Sequence, residues 1–322
     1  MLPEPASTRI RFAHPVYRLH ERFALRASRT QHAQTFDPTR LSEDLADAHV
    51  LVISGWWREE LLAHAPRLRY IQICAAGHEQ FDTNALRARG IRLCNAAGVN
   101  ANAVSEHALG LMLTLTRQLH LARDNQRHRH WRPLIADPDH REDELPGKTV
   151  LIVGAGRIGT RLARLCRALQ TTVIGIKRDV REHDPAFDEV HPPEAFQAQL
   201  PRADFIVLCC PLTDQTRDLL DADAFMLIRP HAYLINVARG GCVDEAALLH
   251  ALNSGELRGA AIDVSVHEPL PPTSPLWTAP NLVITPHSGG ETPAYEDRVL
   301  DVLEENLERL WRGETNLRNA IV

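Results

Sequence analysis

Short apolar runs alternate with longer amphipathic segments along most of the chain. Nine of these runs have the length of a strand, and they read VLVISG, YIQIC, IRLCN, TVLIVG, TVIGI, DFIVLC, AYLINV, GAAIDV and LVITP. Several are apolar at every position, as expected for parallel strands that are covered on both faces. Because such strands alternate with helix-length segments, the pattern predicts a doubly wound α/β architecture.

Three longer segments have the periodicity of amphipathic helices. In GRIGTRLARLCRALQ one face collects the apolar residues Ile158, Leu162, Leu165, Cys166 and Leu169. The stretch NANAVSEHALGLMLTLTRQLHLARDNQ predicts one long helix, which separates an N-terminal α/β block ending near residue 100 from the rest. The stretch TPAYEDRVLDVLEENLERLWRGE predicts another helix, and its periodicity leaves open which block it packs on.

Length and charge narrow the function classes. A chain of 322 residues can form two domains, and its formal net charge of -5 gives no basic excess for a nucleic-acid partner. No apolar run approaches the length of a bilayer span, and the first residues lack the pattern of a secretion signal. We therefore expect a cytoplasmic protein with no membrane partner.

Cysteine and histidine positions give no sign of a metal site. The six cysteines lack metal-ligand spacing and mostly lie in apolar runs, so we expect small core residues in a reduced protein. The histidine-rich segment RHRHW, residues 127–131, has no acidic or cysteine partner at fixed spacing. We expect this segment to be solvated rather than to bind a metal.

A glycine-rich turn follows the strand TVLIV and precedes the first amphipathic helix named above. Gly154, Gly156 and Gly159 give the pattern G-x-G-x-x-G, and strand, turn, helix and second strand fit within about 30 residues. Gly154 would permit the tight turn, Gly156 would let the backbone approach phosphates, and Gly159 would let the helix pack on the strand. The pattern predicts a dinucleotide site with its pyrophosphate at the helix N-terminus.

The second strand, TTVIGI, is followed by Lys177 and Arg178 where an NAD site usually has an acidic residue. Two cations suit a 2′-phosphate, and the missing carboxylate removes a repulsion, so the pair favours NADP over NAD, with NAD still possible. Two alternatives stay open. Asp179 could reach the ribose if the strand ends later, and the two cations could be ordinary surface charges.

Three further motifs each follow an apolar strand: INVARGG with Arg239, IDVSVHEPLPP with Asp263 and Glu268, and ITPHSGG with His287. Carboxyl ends of strands line the ligand crevice of a doubly wound sheet, so these polar residues are candidates for chemistry. A carboxylate-binding arginine, a proton-donating histidine and a glutamate that orients the histidine are what reversible reduction of a 2-keto acid requires.

Five motifs in this order resemble the D-isomer-specific 2-hydroxyacid dehydrogenases. They read NAAGVNANAVSEHALGLML, LPGKTVLIVGAGRIG, CPLTDQTRDLLDADAFMLIRPHAYLINVARGG, AAIDVSVHEPLPPTSPLW and NLVITPHSGG. The resemblance implies two doubly wound parallel-sheet domains: a Rossmann cofactor domain, residues 101–292, inserted in a flavodoxin-like, mobile substrate domain, residues 1–100 plus 293–322. It also implies reduction of 2-keto acids such as glyoxylate or hydroxypyruvate to D-2-hydroxy acids, and a homodimer joined through the cofactor domain.

The resemblance implies a role for each matching residue. Arg239 would bind the substrate carboxylate, His287 would be the acid/base, and Glu268 would hydrogen-bond His287 and favour its protonated form. Asp263 would contact the nicotinamide carboxamide. The loop AAGHEQFD would offer backbone N–H groups to the substrate carboxylate from Ala76 and Gly77. Further cofactor contacts are implied for Arg157, Ile158, Cys210, Pro211, Thr216, Val237, Ala238 and Gly289.

Several positions depart from the family pattern or leave alternatives. Trp56 and Trp57 occupy the loop that shapes the substrate pocket, where they could narrow the pocket, form a wall for a bulky substrate or simply pack between domains. Phosphite- and formate-type dehydrogenases share the architecture, but formate-oxidising relatives carry glutamine at the position of Glu268. A cofactor-sensing corepressor is the alternative outside enzymes, and the long tails expected of one are not visible.

Overall fold

Two parallel sheets organise the chain, and each belongs to its own compact unit. The computed structural model describes residues 2–26 and 28–322. Unit 1 consists of Met1–Asn100 and Thr292–Val322, and unit 2 is Ala101–Glu291. Both sheets are doubly wound and wholly parallel, so the predicted fold class is confirmed.

The described residues contain twelve strands and ten α-helices. The strands are β1 (Arg9–Ala13), β2 (Gln31–Thr35), β3 (Val50–Ile53), β4 (Tyr70–Ile73), β5 (Arg92–Cys94), β6 (Thr149–Val153), β7 (Thr172–Ile176), β8 (Glu189–His191), β9 (Phe205–Leu208), β10 (Tyr233–Asn236), β11 (Gly259–Ile262) and β12 (Leu282–Ile284). The helices are α1 (Leu19–Ala24), α2 (Leu41–Asp44), α3 (Thr83–Ala88), α4 (Ala101–Thr116), α5 (Leu119–Arg127), α6 (Arg157–Ala168), α7 (Phe196–Gln199), α8 (Ala222–Leu227), α9 (Glu245–Ser254) and α10 (Tyr295–Trp311).

Unit 1 has the strand order β2-β1-β3-β4-β5, which is the flavodoxin-like order. Alternate residues of β3 enter two different cores, with Val50 and Val52 on one face and Leu51 and Ile53 on the other. The core that contains Val50 also contains the buried stripe of α10. The packing question that periodicity left open is thereby answered, since α10 packs within unit 1.

Unit 2 has the strand order β12-β11-β10-β9-β6-β7-β8. The chain starts in the middle of this sheet at β6, moves outward to β8 and then returns to build the other side, as in a Rossmann fold. Its strands again feed two cores, because Leu151 and Val153 lie on one face while Val150 and Ile152 lie on the other. This coverage on both faces explains why several of the predicted strands are apolar at every position.

All nine predicted strands are present, as β3 to β7 and β9 to β12, whereas β1, β2 and β8 were missed. Strands β2 and β8 are sheet edges, and all their residues except the buried Thr35 are at least partly exposed, which suits polar side chains. In β1 the arginines Arg9 and Arg11 alternate with Ile10 and Phe12. Strands with such polar positions lack the continuous apolar run by which the other nine were recognised.

The single long helix predicted across residues 100–126 is wrong, because this stretch forms α4 and α5. Gln118 breaks the helix in the left-handed region at φ 50°. The carbonyl of Thr116 at the end of α4 accepts instead the N–H of Asp143, at 2.8 Å. The apolar stripe of α4 is buried, whereas α5 buries no residue, so packing does not carry the helix across the break.

Helix α6 confirms the predicted amphipathic segment, with Leu162 and Cys166 on its buried side. Burial raises the pKa of the Cys166 thiol to about 12, as expected for a small core residue. Within residues 2–26 and 28–322, no three His, Cys, Asp or Glu side chains are grouped to hold a metal ion. None of the helices in this described part has the length and apolar character needed to cross a bilayer.

Candidate active site

Three neighbouring strands of unit 2 bring three of the predicted site residues to one edge of the sheet. Strands β10, β11 and β12 are parallel and adjacent, and their last residues pair in register. Asp263 follows β11 directly, Arg239 lies three residues after β10, and His287 lies three residues after β12. The parallel register therefore places these side chains at the same carboxyl edge.

His287 and Glu268 form a hydrogen-bonded pair. The Nδ1 atom of His287 lies 2.7 Å from Oε2 of Glu268, and the two side chains are 50% and 38% exposed. The other carboxylate oxygen of Glu268 accepts the backbone N–H of Ser265 at 3.1 Å. The glutamate is thus held from a second direction, and it fixes which nitrogen of the imidazole is engaged.

A buried carboxylate organises the turn that carries His287. His287 has φ 53°, and its N–H donates to the carbonyl of Asp263 at 2.8 Å. The Asp263 side chain accepts the N–H groups of Ser288 and Gly289 at 3.0 and 2.9 Å and the hydroxyl of Thr285 at 2.6 Å. Because left-handed backbone is unfavourable for a residue with a Cβ, these contacts are what stabilise the turn.

His107 of α4 also belongs to this cluster and was missed from sequence. Its Nε2 lies 3.0 Å from the Thr285 hydroxyl and 3.4 Å from Oδ1 of Asp263. Burial alone would raise the pKa of Asp263, but hydrogen bonds from His107, Thr285 and the turn outweigh it, so its pKa lies below the usual range. Asp263 is therefore an ionised carboxylate in a buried position. His107 lies in the SEHALG segment, and nothing in that segment of the sequence indicates that Thr285 is its partner.

Arg239 is positioned by close backbone packing. The amide of Asn236 binds this segment at two points, donating to the Arg239 carbonyl at 3.1 Å and accepting the Ala238 N–H at 3.0 Å. A Cβ on Gly240 would lie only 2.0 Å from the carbonyl carbon of Ser265. The backbone that follows Arg239 therefore packs closely against the loop that leads to Glu268. Asn236 is a second residue that sequence reasoning missed, although it is a polar residue ending an apolar strand.

The glycine-rich turn has the steric properties predicted for it. Gly154 has φ 102°, and a Cβ there would lie 2.8 Å from the backbone of Cys209. A Cβ on Gly159 would lie 2.3 Å from the carbonyl oxygen of Gly154, whereas a Cβ on Gly156 would meet nothing within 4 Å. Gly156 is the N-cap of α6 and supplies no side-chain cap, and Arg157 and Ile158 form the start of that helix. An open helix N-terminus of this kind fits a pyrophosphate.

The remaining cofactor candidates lie at neighbouring strand ends of the same sheet. Cys210 and Pro211 follow β9, and the Thr216 hydroxyl donates to the Pro211 carbonyl at 2.7 Å, which closes this turn. Val237 and Ala238 follow β10 and are buried. The structure therefore brings these residues to the edge that also carries Gly154 and His287.

The predicted end of β7 at Ile176 is confirmed. Lys177 donates from Nζ to the Glu182 carbonyl at 2.7 Å, and Arg178 is exposed. The Asp179 carboxylate accepts the guanidinium of Arg181 at 2.9 and 2.6 Å, and this pairing holds the pKa of Asp179 at about 2. The carboxylate that could have served a ribose is therefore already paired.

In unit 1 the loop after β4 carries Ala76 and Gly77. The Asn95 side chain, also missed from sequence, donates to the Ala76 carbonyl at 2.6 Å and so fixes this loop. Trp57 is buried and stacks on Phe81 with ring centroids 4.8 Å apart. Trp56 is only partly buried against the same core. Of the two tryptophans, Trp57 thus serves packing inside unit 1.

This chain is similar to several known proteins. The model of the D-isomer specific 2-hydroxyacid dehydrogenase NAD-binding domain matches residues 109–289. A glyoxylate/hydroxypyruvate reductase B of Citrobacter koseri is 34% identical over 294 residues, covering 87% of this chain and 86% of that protein. The crystal structure of a D-isomer specific 2-hydroxyacid dehydrogenase family protein from Aeromonas salmonicida has a TM-score of 0.85 and 31% identity, covering 98% and 99% of the two chains.

Some relatives are longer than this chain. A D-3-phosphoglycerate dehydrogenase of Methanocaldococcus jannaschii is 31% identical over 276 residues, which are 85% of this chain but 52% of that protein. The chain therefore spans about half the length of the phosphoglycerate dehydrogenases it matches. The family model covers more than half of this chain, and its residues contain the glycine-rich turn, Arg239, Asp263, Glu268 and His287. The chain belongs to the D-isomer-specific 2-hydroxyacid dehydrogenase family.

Proposed function

We propose that the protein reduces 2-keto acids to D-2-hydroxy acids with NADPH in preference to NADH, reversibly. The observation that carries the proposal is the His287–Glu268 pair, with 2.7 Å between Nδ1 and Oε2, at the sheet edge that also holds Arg239 and the glycine-rich turn. A proton donor, a carboxylate-binding cation and a dinucleotide site on one edge are the requirements of this reaction. The relative from Citrobacter koseri carries the corresponding name, glyoxylate/hydroxypyruvate reductase B.

The protein's own groups divide the chemistry among them. The dinucleotide, held at Gly154, Gly156 and the start of α6, supplies a hydride when bound. Arg239 binds the substrate carboxylate through its guanidinium and so orients the keto group. His287 is engaged by Glu268 at Nδ1, so Nε2 is the atom that gives a proton to the carbonyl oxygen. Glu268 stabilises the imidazolium and holds its ring orientation during this transfer.

Unit 1 contributes to substrate selection in this proposal. The loop after β4 offers backbone N–H groups of Ala76 and Gly77 to the substrate carboxylate, and Asn95 holds that loop by its bond to the Ala76 carbonyl. Because Trp57 is buried against Phe81, we assign the pocket wall to the partly exposed Trp56. A large ring at this position limits the size of the substrate side chain, in keeping with small keto acids such as glyoxylate or hydroxypyruvate.

We also propose a homodimer joined through unit 2. The segment from α5 to residue 134 exposes several large apolar side chains, and Trp131 and Leu134 are each 96% exposed. Leu119 and Leu121 of α5 are 52% and 41% exposed nearby in the chain. Clustered exposed apolar residues of this kind are typical of protein–protein interfaces. Sedimentation of the wild type and of Trp131→Ala/Leu134→Ser measures the oligomeric state. A monomeric wild type would contradict the proposed homodimer.

The reaction is tested with a panel of 2-keto acids, each assayed with NADPH and with NADH. We expect turnover of at least one small keto acid, and wherever the 2-hydroxy acid formed is chiral we expect the D enantiomer. His287→Ala should lower kcat by about a hundredfold or more, because it removes the proton donor. Asp244→Asn, which changes only the N-cap of α9, is the matched control. Absence of turnover with every keto acid, or a His287→Ala variant of wild-type rate, would contradict the proposal.

A further inference from the structure

His107 connects α4 to the turn that carries His287. The His107 side chain is 23% exposed, and its Nε2 lies 3.0 Å from the Thr285 hydroxyl. That hydroxyl donates its only proton to Oδ1 of Asp263, at 2.6 Å. The Thr285 oxygen can then only accept from the histidine, so the Nε2 atom of His107 carries the hydrogen.

The contacts continue from Asp263 to the turn itself. Its carboxylate accepts the N–H groups of Ser288 and Gly289, the two residues that follow His287. The packing is close as well, since a Cβ on Gly289 would lie 2.8 Å from Oδ2 of Asp263 and 3.0 Å from Cδ2 of His107. Movement of the His107 ring would therefore disturb the turn both at Thr285, before His287, and at Gly289, after it.

His287 has an unusual backbone conformation. Its φ of 53° lies in the left-handed region, which side chains with a Cβ rarely adopt. Its ring must nevertheless stay within 2.7 Å of Glu268. Such a conformation persists only where surrounding contacts determine it, and the contacts here come from Asp263, Thr285 and His107.

We propose that His107 is a positioning residue for His287, acting through the Thr285 hydroxyl and the Asp263 carboxylate. The Nε2–H of His107 keeps the Thr285 hydroxyl directed at the Asp263 carboxylate. This carboxylate thereby holds Thr285 before His287 and the N–H groups of Ser288 and Gly289 after it. His107 touches neither substrate nor cofactor in this scheme. The inference rests on the proposed function for its consequence in catalysis, but the position of the His287 ring can be measured without turnover.

The kinetic test compares variants that keep and remove the linking hydrogen bonds. His107→Leu should lower kcat about tenfold while the KM values for keto acid and NADPH change less than twofold, because a misplaced acid impairs the transition state rather than binding. His107→Gln retains an N–H donor at a similar distance from the backbone, so its kcat should lie within about threefold of the wild-type kcat. Thr285→Val should resemble His107→Leu, and Thr285→Ser should resemble the wild type.

A matched control separates this role from general packing of α4. Ser105 is buried two residues away, and its hydroxyl bonds only within the helix, to the Asn102 carbonyl at 2.9 Å. Ser105→Ala should therefore keep the wild-type kcat. Should His107→Leu fail to fold, the Thr285→Val and Thr285→Ser pair carries the same test. Equal kcat in His107→Leu, Thr285→Val and wild type would overturn the proposal.

The second readout is the nitrogen-15 spectrum of the histidine rings in the full chain, with His287 assigned through His287→Ala. In the wild type at alkaline pH we expect the Nδ1–H tautomer of His287, selected by Glu268. His107→Leu and Thr285→Val should shift His287 toward the other tautomer, and His107→Gln should not. An unchanged His287 spectrum would overturn the inference even if keto acids are turned over. A changed spectrum without any turnover would uphold it while the proposed function fails.

Discussion

The two halves of the carboxyl edge of the unit 2 sheet are built by different means. The cofactor half, which follows β6 and β7, gets its shape from glycines whose added Cβ atoms would collide with backbone, as at Gly154 and Gly159. Its charged side chains, Arg178 and Asp179, are exposed. The acid/base half, which follows β10 to β12, has one such glycine, Gly240, but the turn that carries His287 gets its shape from hydrogen bonds to the buried carboxylate of Asp263.

This difference determines what each half tolerates. In the cofactor half the backbone cannot accept an added methyl group at Gly154 or Gly159, but the exposed charges can be exchanged at little cost to folding. In the acid/base half a change of even one donor or acceptor leaves a buried polar group unsatisfied. We therefore expect substitution of Gly159 or of the buried Asp263 to affect folding, and substitution of the exposed charges to affect only the choice of cofactor.

The largest effect on stability should come from Gly159→Ala. The added Cβ would lie 2.3 Å from the carbonyl oxygen of Gly154, and this backbone atom cannot move aside cheaply. We expect a loss of about 3 kcal/mol in the free energy of unfolding, measured by urea denaturation. Gly156→Ala is the matched control, because a Cβ there meets nothing within 4 Å. It should keep the stability and weaken only dinucleotide binding, and equal destabilisation by both variants would refute the steric account.

The next effect is expected from Asp263→Asn, and it should depend on pH. The folded pKa of Asp263 is depressed, so its ionised form stabilises the fold above the pKa of the unfolded chain. This stabilisation is lost as the pH falls through the folded pKa. Near neutral pH the free energy of unfolding of the variant should be lower than that of the wild type by about 2 kcal/mol. The reason is that the side-chain NH2 group of the introduced asparagine would face hydrogen-bond donors of the turn.

Urea denaturation of both proteins between pH 7 and pH 3 measures this dependence. We expect the difference in stability between wild type and Asp263→Asn to shrink toward the acid end, since protonation removes the charge from the wild type as well. Asp244→Asn is again the control, because this residue caps a helix rather than the turn. A difference that stays constant over the whole pH range would show that the charge of Asp263 is not what stabilises the turn.

Sequence reasoning succeeded where the cause was local and failed where it was not. Gly154 and Gly159 could be predicted because the constraint on them lies within one strand, turn and helix. His107 could not, because its partner Thr285 is 178 residues away, and a helix histidine gives no sign of such a partner. The break at Gln118 was missed for a related reason: periodicity continues past it, and the bond from Asp143 to Thr116 that ends α4 comes from a distant segment.

A smaller effect, on cofactor preference rather than folding, is expected from Lys177→Ser/Arg178→Ser. The loss of two cations should raise the KM for NADPH about tenfold and that for NADH less than twofold, because only NADPH carries the 2′-phosphate. Arg167→Ser is the control, since Arg167 pairs with Asp188 next to the first residues of β7, away from the carboxyl edge. Equal changes in both KM values would mean that the two cations are ordinary surface charges.

The smallest effect should follow from releasing Asp179. At neutral pH this carboxylate is ionised, and it is paired with Arg181 at 2.6 Å. Arg181→Ser would free it to accept a ribose hydroxyl and to repel a 2′-phosphate, so the ratio of KM for NADPH to KM for NADH should rise about threefold. The double variant Asp179→Asn/Arg181→Ser removes the released charge and should restore the wild-type ratio. If the double variant shows the same rise as Arg181→Ser, the arginine itself attracts the phosphate, and the pairing with Asp179 has no part in the preference.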